Sequence, residues 1–104
     1  MYGPGTNLAH AGSIIFNSEC QIHYICSAIE FMINRSLKMM TVKADVEQEY
    51  QNRFDDRHKR MVWQHHNVSS WYQNSDGKVV TTSPWKLLEY WNWTNNFNED
   101  DYDF

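Results

Sequence analysis

The feature that most constrains this chain is the glycine-rich stretch at residues 3–10, which runs directly into a long amphipathic helix. A turn of this kind normally follows a strand and brings backbone N–H groups and a helix N-terminus up to a polar or anionic ligand. Here the turn begins at residue 3, so the strand that should precede it is missing. The simplest explanation is that the chain is the C-terminal piece of a larger cofactor-binding protein. The same Gly-Pro-Gly-Thr pattern also occurs in ordinary loops, and that alternative stays open.

The composition predicts a thin core and argues against nucleic acid as a partner. With 104 residues the chain fits one domain at most, and aromatic residues make up 15% of it. Much of the burial must therefore come from large rings set among polar residues, which suits a segment packed onto something else. The formal charge is −4, and the last six residues alone carry four of the 13 acidic side chains. The remaining body is neutral and shows no basic patch.

Targeting signals and disulfides are not expected. No apolar run approaches the ~18–20 residues of a membrane span, and the first residues lack the basic and apolar regions of a signal peptide. Cys20 and Cys26 lie six positions apart on one predicted helix, too far round its axis for a disulfide, and we expect both to be buried reduced thiols. These observations predict a cytoplasmic protein without a membrane span.

The hydrophobic pattern predicts an α+β chain with a long helix, a second helix, a β-hairpin and a C-terminal helix. Apolar residues at helical spacing predict the first helix over residues 13–33, with Ser13 as its N-cap candidate. A short extended segment at residues 39–42 leads into a second helix over residues 45–60, which has acidic residues near its start and basic residues near its end.

The second half of the chain carries local turn and helix signals. An Asp-Gly pair near the centre of residues 68–82 predicts the hairpin. The Ser-Pro pair at residues 83–84 predicts the start of the last helix, with serine as N-cap and proline as first helical residue. Residues 95–104 are predicted to be a polar, acidic tail.

Local side-chain patterns alone assign neither a metal site nor a catalytic residue. The five histidines and two cysteines do not adopt a familiar metal-ligand spacing. Cys20 and His23 can touch, at i and i+3, but a cysteine on an apolar helix face is most often an inert core thiol. Trp71, beside the predicted hairpin turn, is either a packing residue or a ligand contact.

The order and spacing of several motifs resemble the C-terminal end of FAD-dependent Baeyer–Villiger monooxygenases, particularly the 4-hydroxyacetophenone monooxygenase type of the flavin-containing monooxygenase superfamily. The resemblance runs over almost the whole chain. The residues that carry it are 2–16 (YGPGTNLAHAGSIIF), 18–21 (SECQ), 61–63 (MVW), 70–72 (SWY), 83–85 (SPW), 90–94 (YWNWT) and 100–104 (DDYDF).

The resemblance implies FAD and NADPH as cofactors of a parent enzyme that oxidises a small ketone, or a heteroatom, with oxygen. The parent would be an α/β flavoprotein with two dinucleotide-binding domains. Residues 1–36 would be the last turn and helix of the FAD-binding domain, truncated at its N-terminus. Residues 37–104 would be a C-terminal helix, hairpin and helix region with an acidic tail.

The residues that would bind the cofactors form two groups. The first group would face the isoalloxazine ring of FAD, where a helix N-terminus stabilises negative charge on the reduced ring. The second group would lie in the mobile segment that closes over NADPH, with the tryptophan ring against the nicotinamide nucleotide. The first group consists of Gly5, Thr6, Asn7, Leu8 and Ser13, and the second of Ser70 and Trp71.

Large parts of the family pattern are absent from the chain. Both G-x-G-x-x-G nucleotide fingerprints, the Baeyer–Villiger signature between them and the arginines expected to serve the flavin and the NADPH phosphate are missing. We therefore expect the chain alone to bind FAD weakly or not at all and to be inactive. The alternatives are a stand-alone aromatic-rich protein-interaction module without catalysis, and a pseudogene product or incomplete gene model with no function.

Overall fold

The computed structural model describes residues 3, 5–7, 12–65, 67 and 69–104. Within these ranges, three α-helices and one two-stranded antiparallel sheet confirm the predicted α+β class. The helices are α1 (Ile14–Asn34), α2 (Ala44–His58) and α3 (Leu87–Thr94), and the strands are β1 (Thr41–Val42) and β2 (Tyr102–Asp103). α1 packs against α3. None of the helices in these ranges is long and apolar enough to cross a membrane.

Local capping groups set both ends of α1. The predicted N-cap is confirmed, because the Ser13 hydroxyl accepts a hydrogen bond from the Phe16 N–H at 3.3 Å. At the other end, Ser36 adopts a φ of 54°, and the N–H groups of Ser36 and Leu37 donate to carbonyls of the last helical turn. This is the hydrogen-bond pattern of a Schellman cap. The helix therefore ends within one residue of its predicted boundary.

α3 begins later than the sequence predicts. Ser83 and Pro84 are expected to open the helix, but both lie buried ahead of it, and the helix starts at Leu87. The reason is a contact with the other end of the chain: the Ser83 N–H donates to the backbone carbonyl of Asn7 at 2.8 Å. This parallel pairing with Asn7 holds residues 81–83 in an extended conformation, so the predicted start at the Ser-Pro pair is wrong.

The predicted hairpin turn is present, with a shorter ladder than expected. The Gly77 N–H donates to the Asn74 carbonyl at 3.0 Å, and Gly77 has the positive φ, 74°, that glycine adopts readily. In the described part of the chain, a single antiparallel bridge between Gln73 and Val79 joins the two arms. The second arm continues into residues 80–83, which pair with the N-terminal glycine turn instead.

The C-terminal segment packs back onto α1. β2 pairs antiparallel with β1. The Phe31 ring lies 5.2 Å from the ring of Phe97 and 5.4 Å from that of Phe104, between centroids. The hydroxyls of Tyr24 and Tyr102 are 2.9 Å apart. The prediction of a polar tail is therefore wrong for its aromatic residues, which supply the apolar surface that docks the segment.

The apolar core is small. Among the residues that the structure describes, its buried hydrophobic side chains are those of Cys20, Ala28, Phe54, Val79 and Trp85. Cys26 is exposed, contrary to the prediction, because it lies about 120° round the axis of α1 from buried Cys20. The side of α1 that faces the rest of the chain also buries two amide side chains, those of Asn17 and Gln21.

The outer side of α1 is apolar. Six isoleucines there are between 44% and 71% exposed, and helical geometry places them within about a third of the circumference. These residues, hereafter the isoleucine stripe, are Ile14, Ile15, Ile22, Ile25, Ile29 and Ile33. α1 thus presents a mostly aliphatic face to solvent from its first turn to its last.

Candidate functional site

The glycine turn is held against residues 80–83 by backbone hydrogen bonds. The N–H groups of Gly5 and Asn7 donate to two carbonyls of this segment, at 2.8 and 3.0 Å, and the Ser83 N–H returns a bond to the Asn7 carbonyl at 2.8 Å. Asn7 and Thr82 form a parallel bridge. The turn therefore pairs, like a short strand, with a segment that lies more than 70 residues away along the chain.

Gly5 occupies a position that only glycine fits without strain. Its φ is 70°, a region that L side chains rarely adopt. A Cβ added there would come within 2.6 Å of the Phe54 ring on α2. The turn is thus clamped from the other side by α2, with no space between its backbone and the aromatic ring.

Thr6 ties the glycine turn to α1. Its N–H and hydroxyl both donate to the Gly3 carbonyl, at 3.3 and 2.7 Å. Its own carbonyl accepts a hydrogen bond from the Asn17 side-chain amide at 3.3 Å. Because Asn17 lies in the first turn of α1, the start of this helix and the turn are fixed relative to each other.

The five residues predicted to contact FAD differ in their hydrogen-bond partners and in whether the structure describes them. The N–H groups of Gly5, Thr6 and Asn7 all donate to carbonyls of this chain. The Ser13 hydroxyl accepts from the first turn of α1. Leu8 lies outside the described residues. The structure therefore joins the glycine turn to the helix that Ser13 caps, while contact with FAD stays a prediction.

The two residues predicted to contact NADPH lie on a surface loop. The Trp71 side chain is 81% exposed and stacks on the neighbouring Tyr72 ring at 4.3 Å between centroids. The Ser70 hydroxyl accepts from the Tyr72 N–H at 3.2 Å, and the Ser70 N–H donates to the Gln73 side chain at 3.4 Å. Gln73 in turn donates to the Trp63 carbonyl at 2.5 Å. Hydrogen bonds thus fix the base of the loop and leave the indole in solvent.

The loop and the glycine turn belong to one hydrogen-bonded assembly. The Gln64 side chain accepts from the Val79 N–H at 3.3 Å and donates to the Gly77 carbonyl at 3.0 Å. Val79 leads directly into residues 80–83, which hold the glycine turn. The two predicted cofactor groups are therefore linked through residues 73–83.

His58 is a buried titratable residue that the sequence reasoning missed. It is 2% exposed, and its ring lies 4.4 Å from the Phe54 ring that clamps Gly5. In the described part of the chain, neither ring nitrogen has a hydrogen-bond partner. Burial lowers the pKa of His58 below its usual value; Asp55 opposes that shift and Lys78 adds to it. The available signal was its position four residues after Phe54, on the same face of α2.

Across residues 3, 5–7, 12–65, 67 and 69–104, no group of three or more histidine, cysteine, aspartate or glutamate side chains is arranged to hold a metal ion.

Similarity to known proteins points to monooxygenases. The chain is similar to the uncharacterized monooxygenase y4iD of Sinorhizobium fredii, with 38% identity over 102 residues, which are 98% of this chain and 15% of that protein. It is also similar to a Baeyer-Villiger monooxygenase of Pseudomonas aeruginosa, with 35% identity over 72 residues, 69% of this chain and 14% of that protein. No family model matches the chain, and no solved structure matches it. The resemblance to monooxygenases is thereby confirmed, and the chain spans about 15% of the length of the relatives it matches.

Proposed function

We propose that this chain is a C-terminal portion of a flavin- and NADPH-dependent monooxygenase, of the 4-hydroxyacetophenone monooxygenase type. The whole enzyme would insert one oxygen atom into a ketone or oxidise a heteroatom. The observation that carries the proposal is the similarity of 98% of the chain, at 38% identity, to a protein named as a monooxygenase. A second relative named as a Baeyer-Villiger monooxygenase supports the ketone chemistry.

The isoleucine stripe supports the view that α1 packs against further protein. A helix with an apolar face normally buries that face against another element. Here the apolar face points to solvent, while the side that faces the rest of the chain buries the amides of Asn17 and Gln21. Neither amide atom of Gln21 has a hydrogen-bond partner in the part of the chain that the structure describes. In the proposed enzyme the stripe would pack against the rest of the FAD-binding domain.

The glycine turn and the N-terminus of α1 would support FAD. FAD reduced by NADPH supplies the oxygen chemistry of such an enzyme. The amides of Gly5 and Asn7 already donate to residues 80–83, so their part is to fix the path of the backbone beside the cofactor. The helix that begins after Ser13 would offer its positive dipole end where negative charge develops on the reduced ring.

Trp71 would contact the nicotinamide nucleotide. An indole that is 81% exposed and held at a loop with an ordered base is available for stacking on a flat ring. Ser70 would set the loop conformation through its bonds to Tyr72 and Gln73. The chain on its own, which lacks both nucleotide fingerprints, would bind neither cofactor tightly and would not turn over.

A segment exchange tests the proposal. The aligned part of the Sinorhizobium fredii protein is replaced by this chain, and FAD content and NADPH oxidation are measured for the chimera and for the chain alone. We expect the chimera to retain FAD and the isolated chain to bind none. In the chimera, Trp71→Ala should raise the KM for NADPH roughly tenfold, because it removes about one aromatic stacking contact.

Trp91→Ala is the matched control, since this indole is 41% exposed and lies on α3 rather than on the loop. An unchanged KM for NADPH in Trp71→Ala would contradict the proposed contact between Trp71 and the nicotinamide nucleotide. A chimera that folds but loses FAD, while the parent keeps it, would count against the flavin role. A chimera that neither binds FAD nor oxidises NADPH, although the parent does both, would favour the stand-alone interaction module instead.

A further inference from the structure

A cleft lined by aromatic rings separates α2 from α1 and α3. Its volume is about 670 Å³, within the range of small-molecule sites, and it lies apart from the residues predicted to bind FAD and NADPH. The aromatic residues that line it come from all three helices and the C-terminal segment, and this set of rings, hereafter the aromatic cleft, consists of Tyr24, Tyr50, Tyr90, Trp93 and Tyr102.

Hydrogen bonds hold three of these rings in place. The Tyr24 and Tyr102 hydroxyls bond to each other at 2.9 Å, and the Tyr50 hydroxyl accepts from the Trp85 indole N–H at 3.0 Å. Burial raises the pKa of both Tyr24 and Tyr50, so these walls stay neutral at physiological pH. A ligand would therefore meet a preformed surface, which reduces the entropic cost of binding.

The charged groups of the cleft are mainly acidic. Val46, Tyr50 and Arg53 share one face of α2, and helical spacing places Glu47 and Glu49 on either side of that face. Asp101 adds a third carboxylate from the C-terminal segment. The ion pairs described in the structure use other carboxylates. The lining thus holds three carboxylates against one guanidinium.

The rings already attract a cation. The Arg53 guanidinium lies 5.0 Å from the centre of the Trp93 ring and 5.9 Å from that of Trp85. The negative face of an aromatic ring stabilises a positive charge, most strongly for tryptophan. Because Arg53 uses only part of this aromatic surface and the carboxylates outnumber it, the cleft retains an excess of groups that favour positive charge.

We propose that the aromatic cleft binds a small organic cation, an amine with an aromatic or branched aliphatic body. The apolar body would pack among the rings, and the ammonium group would lie near Glu47, Glu49 and Asp101 at the rim. Anions such as phosphate or carboxylate are disfavoured by the same three side chains. The proposal does not depend on the monooxygenase function and applies to the chain as it stands.

The test compares two probes of equal size that differ in charge. The chain is titrated with 2-phenylethylammonium and with 2-phenylethanol, and the aromatic resonances of Trp93 and Tyr50 are followed by NMR. We expect saturable shifts at these rings and binding of the amine at least fivefold tighter than the alcohol at low salt, with the difference shrinking as salt is added. Equal affinities, no binding, or larger shifts at exposed Trp71 would overturn the proposal.

Charge variants show which carboxylates produce the preference for the amine. Glu47→Gln combined with Glu49→Gln should bring the two affinities close together, because it removes two of the three rim carboxylates. The control combines Glu19→Gln with Glu30→Gln, which changes the net charge equally on an exposed side of α1 away from the cleft. The control should keep the preference for the amine. An equal loss in both double variants would show that the charge of the whole chain is responsible, and would overturn the assignment to the cleft.

Discussion

Gly5 is the residue at which the glycine turn depends most directly on packing. Gly5→Ala would impose a positive φ on an L residue and bring a Cβ within 2.6 Å of the Phe54 ring. The first effect costs about 1 kcal/mol and the second about 1–3 kcal/mol. Gly77 offers a matched control, because its φ is 74° but nothing lies within 4 Å of an added Cβ.

We expect Gly5→Ala to lower the free energy of unfolding by about 2–4 kcal/mol and Gly77→Ala by about 1 kcal/mol, measured by urea unfolding. The difference between the two variants isolates the contact with Phe54 from the cost of the backbone conformation. Equal losses would mean that the Phe54 ring moves aside without cost, and that α2 does not clamp the turn.

At the scale of elements, α2 docks through a buried histidine. Unfolded His58 titrates near pH 6.5, whereas burial lowers its pKa in the folded chain. Between pH 6.5 and the lower pKa of His58 in the folded chain, the unfolded chain binds more protons than the folded chain. The free energy of unfolding should therefore fall as the pH is lowered through this window. His58→Gln should remove that part of the pH dependence in urea unfolding. His23→Gln, at an exposed histidine on α1, should retain it.

Elements that depend on neighbouring residues were predictable from the sequence, and those that depend on distant partners were not. Ser13 caps α1 and the Asp-Gly turn closes at Gly77, because both use hydrogen bonds within a few residues. The start of α3 was missed since the Ser83 amide bonds to Asn7, at the other end of the chain. The C-terminal strand was missed for the same reason, as its partner is β1.

The candidate site shows the same division. The sequence identified the glycine turn and the loop that carries Trp71, because both contain residues with distinctive local chemistry. It did not indicate that residues 80–83 accept hydrogen bonds from the N–H groups of Gly5 and Asn7, or that His58 is buried behind the turn. Both facts arise from long-range packing, which no spacing along the chain encodes.

At the scale of the whole molecule, the isoleucine stripe should govern association. Contiguous apolar surface drives contact with other surfaces more strongly than the same number of scattered apolar residues. Ile22→Gln combined with Ile29→Gln interrupts the stripe at positions that are 47% and 51% exposed. The control, Met39→Gln with Val62→Gln, changes residues that are more exposed, 65% and 61%, but lie outside α1. The two double variants therefore distinguish the effect of grouping apolar side chains on one helix face from the effect of their individual exposure.

We expect the stripe variant to reduce self-association in sedimentation experiments, and the fluorescence of an apolar dye, by about half or more, while the control changes both only slightly. Stability should hardly change in the stripe variant, since substitutions at exposed positions usually stay within about 0.5 kcal/mol. If both variants reduce association equally, scattered exposure accounts for it and α1 has no dedicated packing face. If only the stripe variant does so, the outer side of α1 is the surface through which this chain meets further protein, as the proposed position of the chain within a longer monooxygenase requires.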